Sequence, residues 1–296
     1  MATLRELKTR IGSVSSSEKI TGAMKMISSA KVHKNEQELR RLLPFKSQLQ
    51  QIMGHILSSD ATFTSPLIEE REVKKVTLIV FGSDDGLCGA YNMNVFKKLL
   101  EEINAIKRLY GERVELTVCP VGKKIARAVA HLKDSVKILT VDGVDSKMSP
   151  EKVNEFTLRL KQEFTDKESD LVRVVYMKFF SISRQRPSAD TLFPVKEELL
   201  LEGMDEKNRK ENRLYIFEPD PNSIFNEVLP MFVLSMMQEV TIENRASEQA
   251  ARVMAMQSAN DNAKKLNEEL QLEYNKLRQQ SITTELLDIL GGQVER

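Results

Sequence analysis

The sequence predicts an α/β protein in which two long terminal helices form an antiparallel coiled coil and an α/β domain is inserted between them. Residues 231–290 contain neither proline nor glycine, and residues 2–43 contain no proline. The middle of the chain instead has short apolar runs, which are typical of buried strands. We therefore expect a coiled-coil helix over residues 1–58, an inserted α/β domain over 73–218 and a second coiled-coil helix over 222–290.

The C-terminal helix is predicted from composition and periodicity. Residues 231–290 are largely Ala, Met, Leu, Glu, Gln and Lys, which all have high helix propensity. An uninterrupted helix of this length would measure about 90 Å at ~1.5 Å per residue. Its seam follows a heptad with three polar interruptions. The seam positions are Ile242, Ala246, Gln249, Val253, Met256, Asn260, Ala263, Asn267, Leu270, Tyr274 and Leu277.

The N-terminal helix is the expected partner of this seam. Leu4, Leu7, Ile11 and Val14 keep heptad spacing. The pattern is then expected to slip register at Ser15–Ser17, and to continue through Ile20, Ala23, Ile27 and Ala30. Because the inserted domain joins the helices at one end, we expect antiparallel pairing within one chain. A homodimeric coiled coil is the alternative, since a heptad does not specify the partner.

The middle of the chain alternates predicted strands and helices, which favours right-handed crossovers and a mainly parallel, doubly wound, Rossmann-like sheet. The predicted strands are 76–81, 114–121, 136–140 and 171–180, and the predicted helices are 92–109, 123–130 and 150–164. Further strands are expected over 192–200 and 213–217. Ser188 and the charged run 205–213 are expected in surface loops.

Composition excludes several classes of protein. A formal net charge of +1 gives no bulk attraction for nucleic acid or acidic membranes. Two cysteines, Cys88 and Cys119, are too few for a disulfide framework and are expected to be free thiols. The longest apolar runs are too short to span a bilayer, and the N-terminus lacks a signal-peptide pattern. We expect a protein that is neither membrane-inserted nor exported.

The glycine-rich loop after the first predicted strand, Gly82–Asn92, is where a doubly wound sheet would bind a nucleotide. Its spacing matches neither common phosphate-binding motif, and Asp84 and Asp85 would repel a phosphate. Cys88 could be a nucleophile near a helix N-terminus, but no partner base is evident. The three histidines have no spacing that suggests a triad or a metal site. No cofactor, metal or catalytic residue is therefore expected.

The last predicted turns of the chain are apolar. Lengths of the two helices indicate that about 12 residues at the C-terminal tip lie beyond the start of the N-terminal helix. This tip contains Ile282, Leu286, Leu287, Ile289 and Leu290, so a partner outside the chain is expected to cover it. The preceding turn, Lys276–Ser281, offers long donors to such a partner, and a solvated helix face is the alternative interpretation.

Several motifs, in order along the chain, resemble the gamma subunit of the rotary ATP synthase. They cover both terminal helices densely and the middle domain through its glycine-rich loop. The motifs are Leu4–Lys8, Lys19–Ile27, Ser83–Gly89, Glu218–Pro221, Ala246–Arg252 and Arg278–Glu285.

This resemblance implies a non-catalytic central-stalk rotor subunit. In that family the shaft stands within a ring of three alpha and three beta subunits, and its base meets the epsilon subunit and the membrane c ring. Proton-driven rotation of the c ring then drives conformational changes in the catalytic beta subunits. The resemblance also implies a peripheral location on the cytoplasmic face of a bacterial inner membrane, with no nucleic acid as partner.

The resemblance further implies which residues contact those partners. Met24 and Lys25 would face a beta subunit, and the region of Asp84 and Cys88 would lie close to one. The base would meet the c ring near Tyr215. Arg278, Gln279 and Thr283 would engage catch loops of the ring, and the tip from Glu285 to Leu290 would lie in an apolar sleeve. Arg252 is the remaining predicted interaction residue.

Two other functions remain open from the residues alone. One is a coiled-coil tether whose α/β head binds a small ligand, and it would form a stable homodimer indifferent to alpha and beta subunits. The other is an enzyme of nucleotide chemistry, which the incomplete phosphate loop disfavours.

Overall fold

The computed structural model describes residues 3–58, 63–201 and 217–294. The chain packs as two compact units, one formed by Met1–Ser29 with Arg252–Arg296 and the other by Ala30–Ala251. We call them the smaller unit and the larger unit. The predicted division into 1–58, 73–218 and 222–290 instead separates the terminal helices from the inserted domain. It stays a prediction.

Long helices begin and end the chain, and strands alternate with shorter helices between them. The helices are α1 Leu4–Leu57, α2 Tyr91–Tyr110, α3 Lys123–Val129, α4 Pro150–Thr165, α5 Glu197–Leu201 and α6 Pro221–Val294, with a 3₁₀ turn at Ala130–Leu132. The strands are β1 Lys75–Phe81, β2 Glu115–Val121, β3 Lys137–Ile138, β4 Leu171–Ser181 and β5 Arg184–Phe193. Both predicted terminal helices are confirmed.

The predicted seam of α6 is confirmed in the smaller unit. Every seam position from Val253 to Leu277 is buried or half-buried, while most residues between them are exposed. Asn260 Nδ2 donates to the carbonyl oxygen of Glu18 at 2.7 Å. A polar seam residue that bonds to its partner helix favours one register over its neighbours.

The predicted register slip in α1 is wrong. The buried and half-buried positions continue the first heptad through Glu18, Thr21, Lys25 and Ser28. The apolar residues Ile20, Met26 and Ile27 are instead 58 to 69% exposed. The reason lies on the facing helix, where the amide of Asn260 takes Glu18 O and Thr21 Oγ1 as acceptors. A polar position on α6 is thus matched by polar groups of α1.

In the larger unit, α1 and α6 also run antiparallel. Lys46 Nζ lies 2.5 Å from Glu239 Oε2, and the Thr64 amide, just beyond α1, donates to Asn222 Oδ1 at 3.1 Å. Partner numbers on α6 therefore fall as those on the N-terminal side rise. This direction agrees with the predicted pairing.

The five-stranded sheet has the order β3-β2-β1-β4-β5. Strands β1 to β4 are parallel, and β5 pairs with β4 in the antiparallel direction. The prediction of a mainly parallel sheet is confirmed. Strand order reverses beside β1, which pairs with β2 on one side and β4 on the other, so the switch point of the sheet lies between β1 and β4.

Alternation along β1 places two apolar layers on opposite faces of the sheet. Val76, Leu78 and Val80 pack with α2 and α3. Ile79 and Phe81 pack with α4 and with residues of α1 and α6. Within the larger unit, the long helices therefore form part of the layer that covers one face of the sheet.

Two expectations for the region after β4 are wrong. The strand predicted over 192–200 lies earlier, at Arg184–Phe193, and residues 197–201 form α5. Pro194 follows β5 and has no N–H to extend the ladder. Ser188 is not in a loop, because it pairs with Tyr176 within the β4–β5 hairpin. The strand predicted over 213–217 and the loop over 205–213 lie outside the described residues, except for Phe217.

Among the described residues, no helix combines the length and the apolar character that crossing a bilayer requires.

Candidate functional site

The glycine-rich loop that follows β1 is closed by its own side chains. Asn92 Oδ1 accepts from the Ser83 amide at 3.1 Å, and Asn92 Nδ2 donates to Ser83 Oγ at 2.8 Å. Ser83 Oγ in turn donates to the carbonyl oxygen of Asp85 at 2.8 Å. The polar groups that could cradle a ligand are thus bonded within the loop.

The crevice at the switch point of the sheet is filled by α6. Asn244 is 1% exposed, and its Oδ1 accepts from the Tyr91 hydroxyl at 2.5 Å and from the Met177 amide at 3.4 Å. Its Nδ2 donates to the carbonyl oxygen of Gly82 at 3.3 Å. Ser247 Oγ donates to Met177 O at 2.8 Å. The chain's own helix therefore occupies the place where doubly wound folds bind ligands.

The side-chain carboxylate of Asp84 binds at the N-terminus of α3. Its Oδ1 accepts from the Lys123 amide at 3.0 Å, and its Oδ2 accepts from Ser146 Oγ at 2.7 Å. Backbone N–H groups at a helix start favour an anion. Here the anion is a carboxylate of the same chain. It occupies the backbone donor that a phosphate would need, and its negative charge would repel a phosphate.

Neither cysteine forms a disulfide, and both are buried. Cys88 Sγ accepts from Asn92 Nδ2 at 3.5 Å and lies 3.8 Å from Ser83 Oγ. Burial raises the pKa of the Cys119 thiol to about 12, so this thiol stays protonated at neutral pH. Among the described residues, no group of three His, Cys, Asp or Glu side chains is placed to hold a metal ion.

A charged cleft of about 300 Å³ lies in the larger unit beside the glycine-rich loop. Arg245 Nε donates to Ser146 O at 2.8 Å, and Lys147 Nζ lies 2.9 Å from Asp85 Oδ2. Burial lowers the pKa of Arg245. Four cations and two carboxylates line the cleft. They are Lys31, Lys34, Lys147 and Arg245, with Glu38 and Glu248.

The predicted contact residues fall into separate groups. Asp84 and Cys88 share the glycine-rich loop. Met24 and Lys25 are half-buried on α1, and Arg252 is buried on α6. Arg278, Gln279, Thr283 and Glu285 are all exposed and lie within about two turns of α6. Tyr215 lies outside the described residues.

The end of α6 presents an apolar surface. Ile282, Leu286 and Leu287 are 49%, 55% and 62% exposed, and Ile289 and Leu290 are exposed to a similar degree. Contiguous exposed apolar residues of this kind mark interaction sites in soluble proteins. This observation agrees with the expectation that a partner outside the chain covers the tip.

Sequence reasoning missed the residues that join α6 to the sheet, namely Tyr91, Asn244 and Ser247. No motif spacing marks them as a group. Asn244 and Ser247 are three residues apart and therefore share a helix face, but that spacing alone does not distinguish a buried polar face from a solvated one.

Comparison with known proteins agrees with this description. A family model described as ATP synthase matches residues 3–294. An ATP synthase gamma chain from Bacteroides thetaiotaomicron is 37% identical over 303 residues, covering 100% of both chains. One from Phocaeicola vulgatus is 38% identical over 292 residues, covering 99% of each. A chain from the rotor of Euglena gracilis mitochondrial ATP synthase has the same fold, with a TM-score of 0.58 at 20% identity over 94% of this chain and 98% of that one. The chain belongs to the ATP synthase gamma-chain family.

Proposed function

We propose that this chain is the central-stalk rotor of a proton-translocating ATP synthase. It transmits rotation of the membrane c ring to the catalytic beta subunits, which pass in turn through states that bind substrates, form ATP and release it. The chain itself carries out no chemistry. Its task is mechanical, so it needs a stiff connection between its α/β domain and its long helices.

The observation that carries this proposal is the contact of Asn244 with Gly82, Tyr91 and Met177. These bonds join α6 to the residue after β1, to the start of α2 and to the middle of β4, and they fill the crevice that a ligand-binding domain would leave open. A domain built to bind a small ligand would keep that crevice accessible. The arrangement therefore favours a mechanical part over a tether with a ligand-binding head.

The exposed residues near the end of α6 supply the proposed contacts with the alpha and beta ring. Arg278 and Gln279 present long donors, and Thr283 and Glu285 lie on the following turn. Such contacts can form and release at each step because they are few and exposed. The apolar tip that follows has no directional bonds to break, so it can turn against an apolar sleeve.

The other proposed contacts lie elsewhere on the chain. Met24 and Lys25 would face a beta subunit, and the loop containing Asp84 and Cys88 would lie close to one. Arg252 stays a proposed interaction residue, although its side chain is buried against the chain itself. Tyr215 would meet the c ring, beside the epsilon subunit. Through these contacts the chain is held at the cytoplasmic face of the bacterial plasma membrane as a peripheral subunit.

Reconstitution tests the proposal. The full chain is mixed with alpha and beta subunits from the same source, the products are separated by size, and ATP hydrolysis is measured. We expect one copy of this chain per three alpha–beta pairs, with hydrolysis that depends on its presence. A homodimer of this chain that never joins the ring would overturn the proposal and support the tether.

A matched pair of variants sharpens the test. Leu286→Asp places a charge in the apolar tip and should reduce assembly, because an apolar sleeve would have to bury it. Glu273→Ala changes an exposed residue of the same helix and should assemble as the unaltered chain does. Equal assembly of both variants would argue against an apolar sleeve around the tip.

A further inference from the structure

One buried carboxyl group of the larger unit has no role in the proposed contacts. Glu243 lies on α6 and is 5% exposed. Its Oε2 atom is buried and has no hydrogen-bond partner among the described residues. An ionised carboxylate with an unpartnered buried oxygen is costly, because neither water nor a donor compensates the lost hydration.

Charged and polar groups from α1, from β4 and from α6 itself face this carboxyl, and a carboxyl of β5 accepts a hydrogen bond from one of them. We call the set the carboxyl cluster. Its members are Lys46 of α1, Glu239 and Glu243 of α6, Tyr176 and Lys178 of β4, and Asp190 of β5.

Two donors of the carboxyl cluster have partners other than Glu243. Lys46 Nζ lies 2.5 Å from Glu239 Oε2. The Tyr176 hydroxyl has one hydrogen and donates it to Asp190 Oδ2 at 2.7 Å. That leaves Lys178, an exposed residue that shares its charge with solvent. Of the three carboxyl groups in the set, Glu239 has a close cation and Asp190 accepts from the Tyr176 and Ser188 hydroxyls. Glu243 Oε2 has no such partner among the described residues.

We infer that Glu243 keeps a proton in the folded protein and that losing this proton weakens the packing of α6 against β4. The inference goes beyond the proposed function and does not depend on it. Burial, with the nearby Glu239 carboxylate, raises the pKa of Glu243 to about 7 from the ordinary value of 4.5, although Lys178, Tyr176 and Lys46 act in the opposite direction.

The direction of the pH effect follows from the difference between the unfolded and folded pKa values of Glu243. Between the unfolded and folded pKa values, the folded chain keeps a proton that the unfolded chain has lost. Stability therefore falls as the pH rises from 4.5 to about 7. Above the folded pKa both states are ionised and the slope vanishes.

Thermal unfolding of the full chain tests the inference. Glu243→Gln keeps the shape of the neutral acid but cannot ionise. From about pH 5 to about pH 8, we expect the unfolding midpoint of the unaltered chain to fall by about 5–10 °C relative to this variant. Glu227→Gln, at an exposed position of the same helix, should follow the unaltered chain. Parallel curves for the unaltered chain and Glu243→Gln would overturn the inference.

Carboxyl carbon NMR of the unaltered chain, with labelled glutamate, gives an answer even if Glu243→Gln fails to fold. One glutamate resonance should titrate near neutrality, and Lys178→Gln should move its midpoint upward because a nearby positive charge is removed. If every glutamate resonance titrates within about one unit of the ordinary value, Glu243 holds no proton and the inference is wrong.

Discussion

Oδ1 of Asn244 lies 2.5 Å from the hydroxyl oxygen of Tyr91, although the two residues are 153 positions apart in the chain. Tyr91 begins α2 directly after the glycine-rich loop, and Asn244 lies on α6. Both side chains are almost fully buried. A bond of this kind ties the loop at the end of β1 to the long helix, and it is the contact on which the mechanical interpretation depends.

Replacing Asn244 should loosen this connection. Asn244→Ala removes the side-chain bonds to the Tyr91 hydroxyl, the Gly82 carbonyl and the Met177 amide, while the Tyr91 hydroxyl keeps the backbone carbonyl oxygen of residue 244 at 3.3 Å. We expect the free energy of unfolding to fall by about 2–4 kcal/mol, because losing a partner of a buried polar group costs ~1–3 kcal/mol. Urea unfolding of the full chain measures it.

Tyr91→Phe provides the control for that experiment. Alone it should cost less than Asn244→Ala, because it removes only the hydroxyl and leaves the bonds of Asn244 to Gly82 and Met177 in place. In a double-mutant cycle the two changes should couple by at least about 0.5 kcal/mol, as contacting residues do. Strict additivity would show that the bond contributes nothing to stability.

Gly82 is required for close packing between the glycine-rich loop and α3. A Cβ atom at this position would lie 2.4 Å from Cβ of Ile125, a branched residue in the core that cannot swing away. We expect Gly82→Ala to destabilise the chain by about 3 kcal/mol, at the upper end for overpacking. Chemical denaturation monitored by circular dichroism checks this value.

Gly12 is the matched control, because a Cβ atom there meets nothing within 4 Å. Gly12→Ala should stabilise α1 by roughly 0.5–1 kcal/mol, the difference in helix propensity between the two residues. If both glycine variants behaved alike, the close approach of Gly82 to Ile125 would not limit this position.

Arg278 should matter for coupling and not for folding. Its side chain is exposed, so Arg278→Ala should change the free energy of unfolding by no more than about 0.5 kcal/mol. Loss of a charge-assisted bond of ~1.5–3 kcal/mol in the ring should lower ATP synthesis by about tenfold or more. Coupled synthesis in assembled complexes is the measurement.

Gln279→Ala should reduce synthesis in the same way, by a smaller factor, because its side chain is neutral. Glu273→Ala, also exposed on α6, should leave synthesis unchanged. Normal synthesis by complexes that contain Arg278→Ala would contradict the proposed contact.

Cys119 should be unreactive in the folded chain. Its pKa is raised to about 12 by burial, and only the thiolate reacts rapidly with disulfide reagents. At about pH 8 we expect labelling by a chromogenic disulfide to be at least ~1,000-fold slower than in denaturant. The Cys88→Ala variant isolates this signal.

The complementary Cys119→Ala variant reports on Cys88 alone, which is also buried. Rapid labelling of Cys119 without denaturant would mean that the larger unit opens locally around β2, contrary to the packing described.

Local features of the sequence were sufficient to predict the long helices and the strand–helix alternation. The absence of proline and glycine from 231–290 acts through backbone propensity, and the short apolar run of β1 reflects burial on both faces of the sheet. Prediction was less accurate where the position of a strand depends on its pairing with another strand. β5 occupies Arg184–Phe193 because it pairs with β4, and neither its ends nor its partner can be read from its own residues.

The candidate functional residues also divide into those with a local sequence signal and those defined by long-range contacts. Arg278, Gln279, Thr283 and Glu285 were assigned through motif resemblance, and the structure places them together only because they are neighbours on one helix. Their roles stay proposals. Asn244 has no such local signal, since its three partners lie in distant parts of the chain.

The two terminal helices, the seam of α6 and the family to which the chain belongs were predictable from the sequence, because propensity, periodicity and motifs are properties of neighbouring residues. The buried face of α1 and the helix that fills the crevice beside β1 became evident from the folded chain alone. Glu18 and Thr21 face inward while Ile20 and Ile27 face solvent, because Asn260 stands opposite and supplies the hydrogen-bond donor. These features depend on contacts between groups that are distant in the sequence, so the hydrophobic pattern of one segment does not predict them.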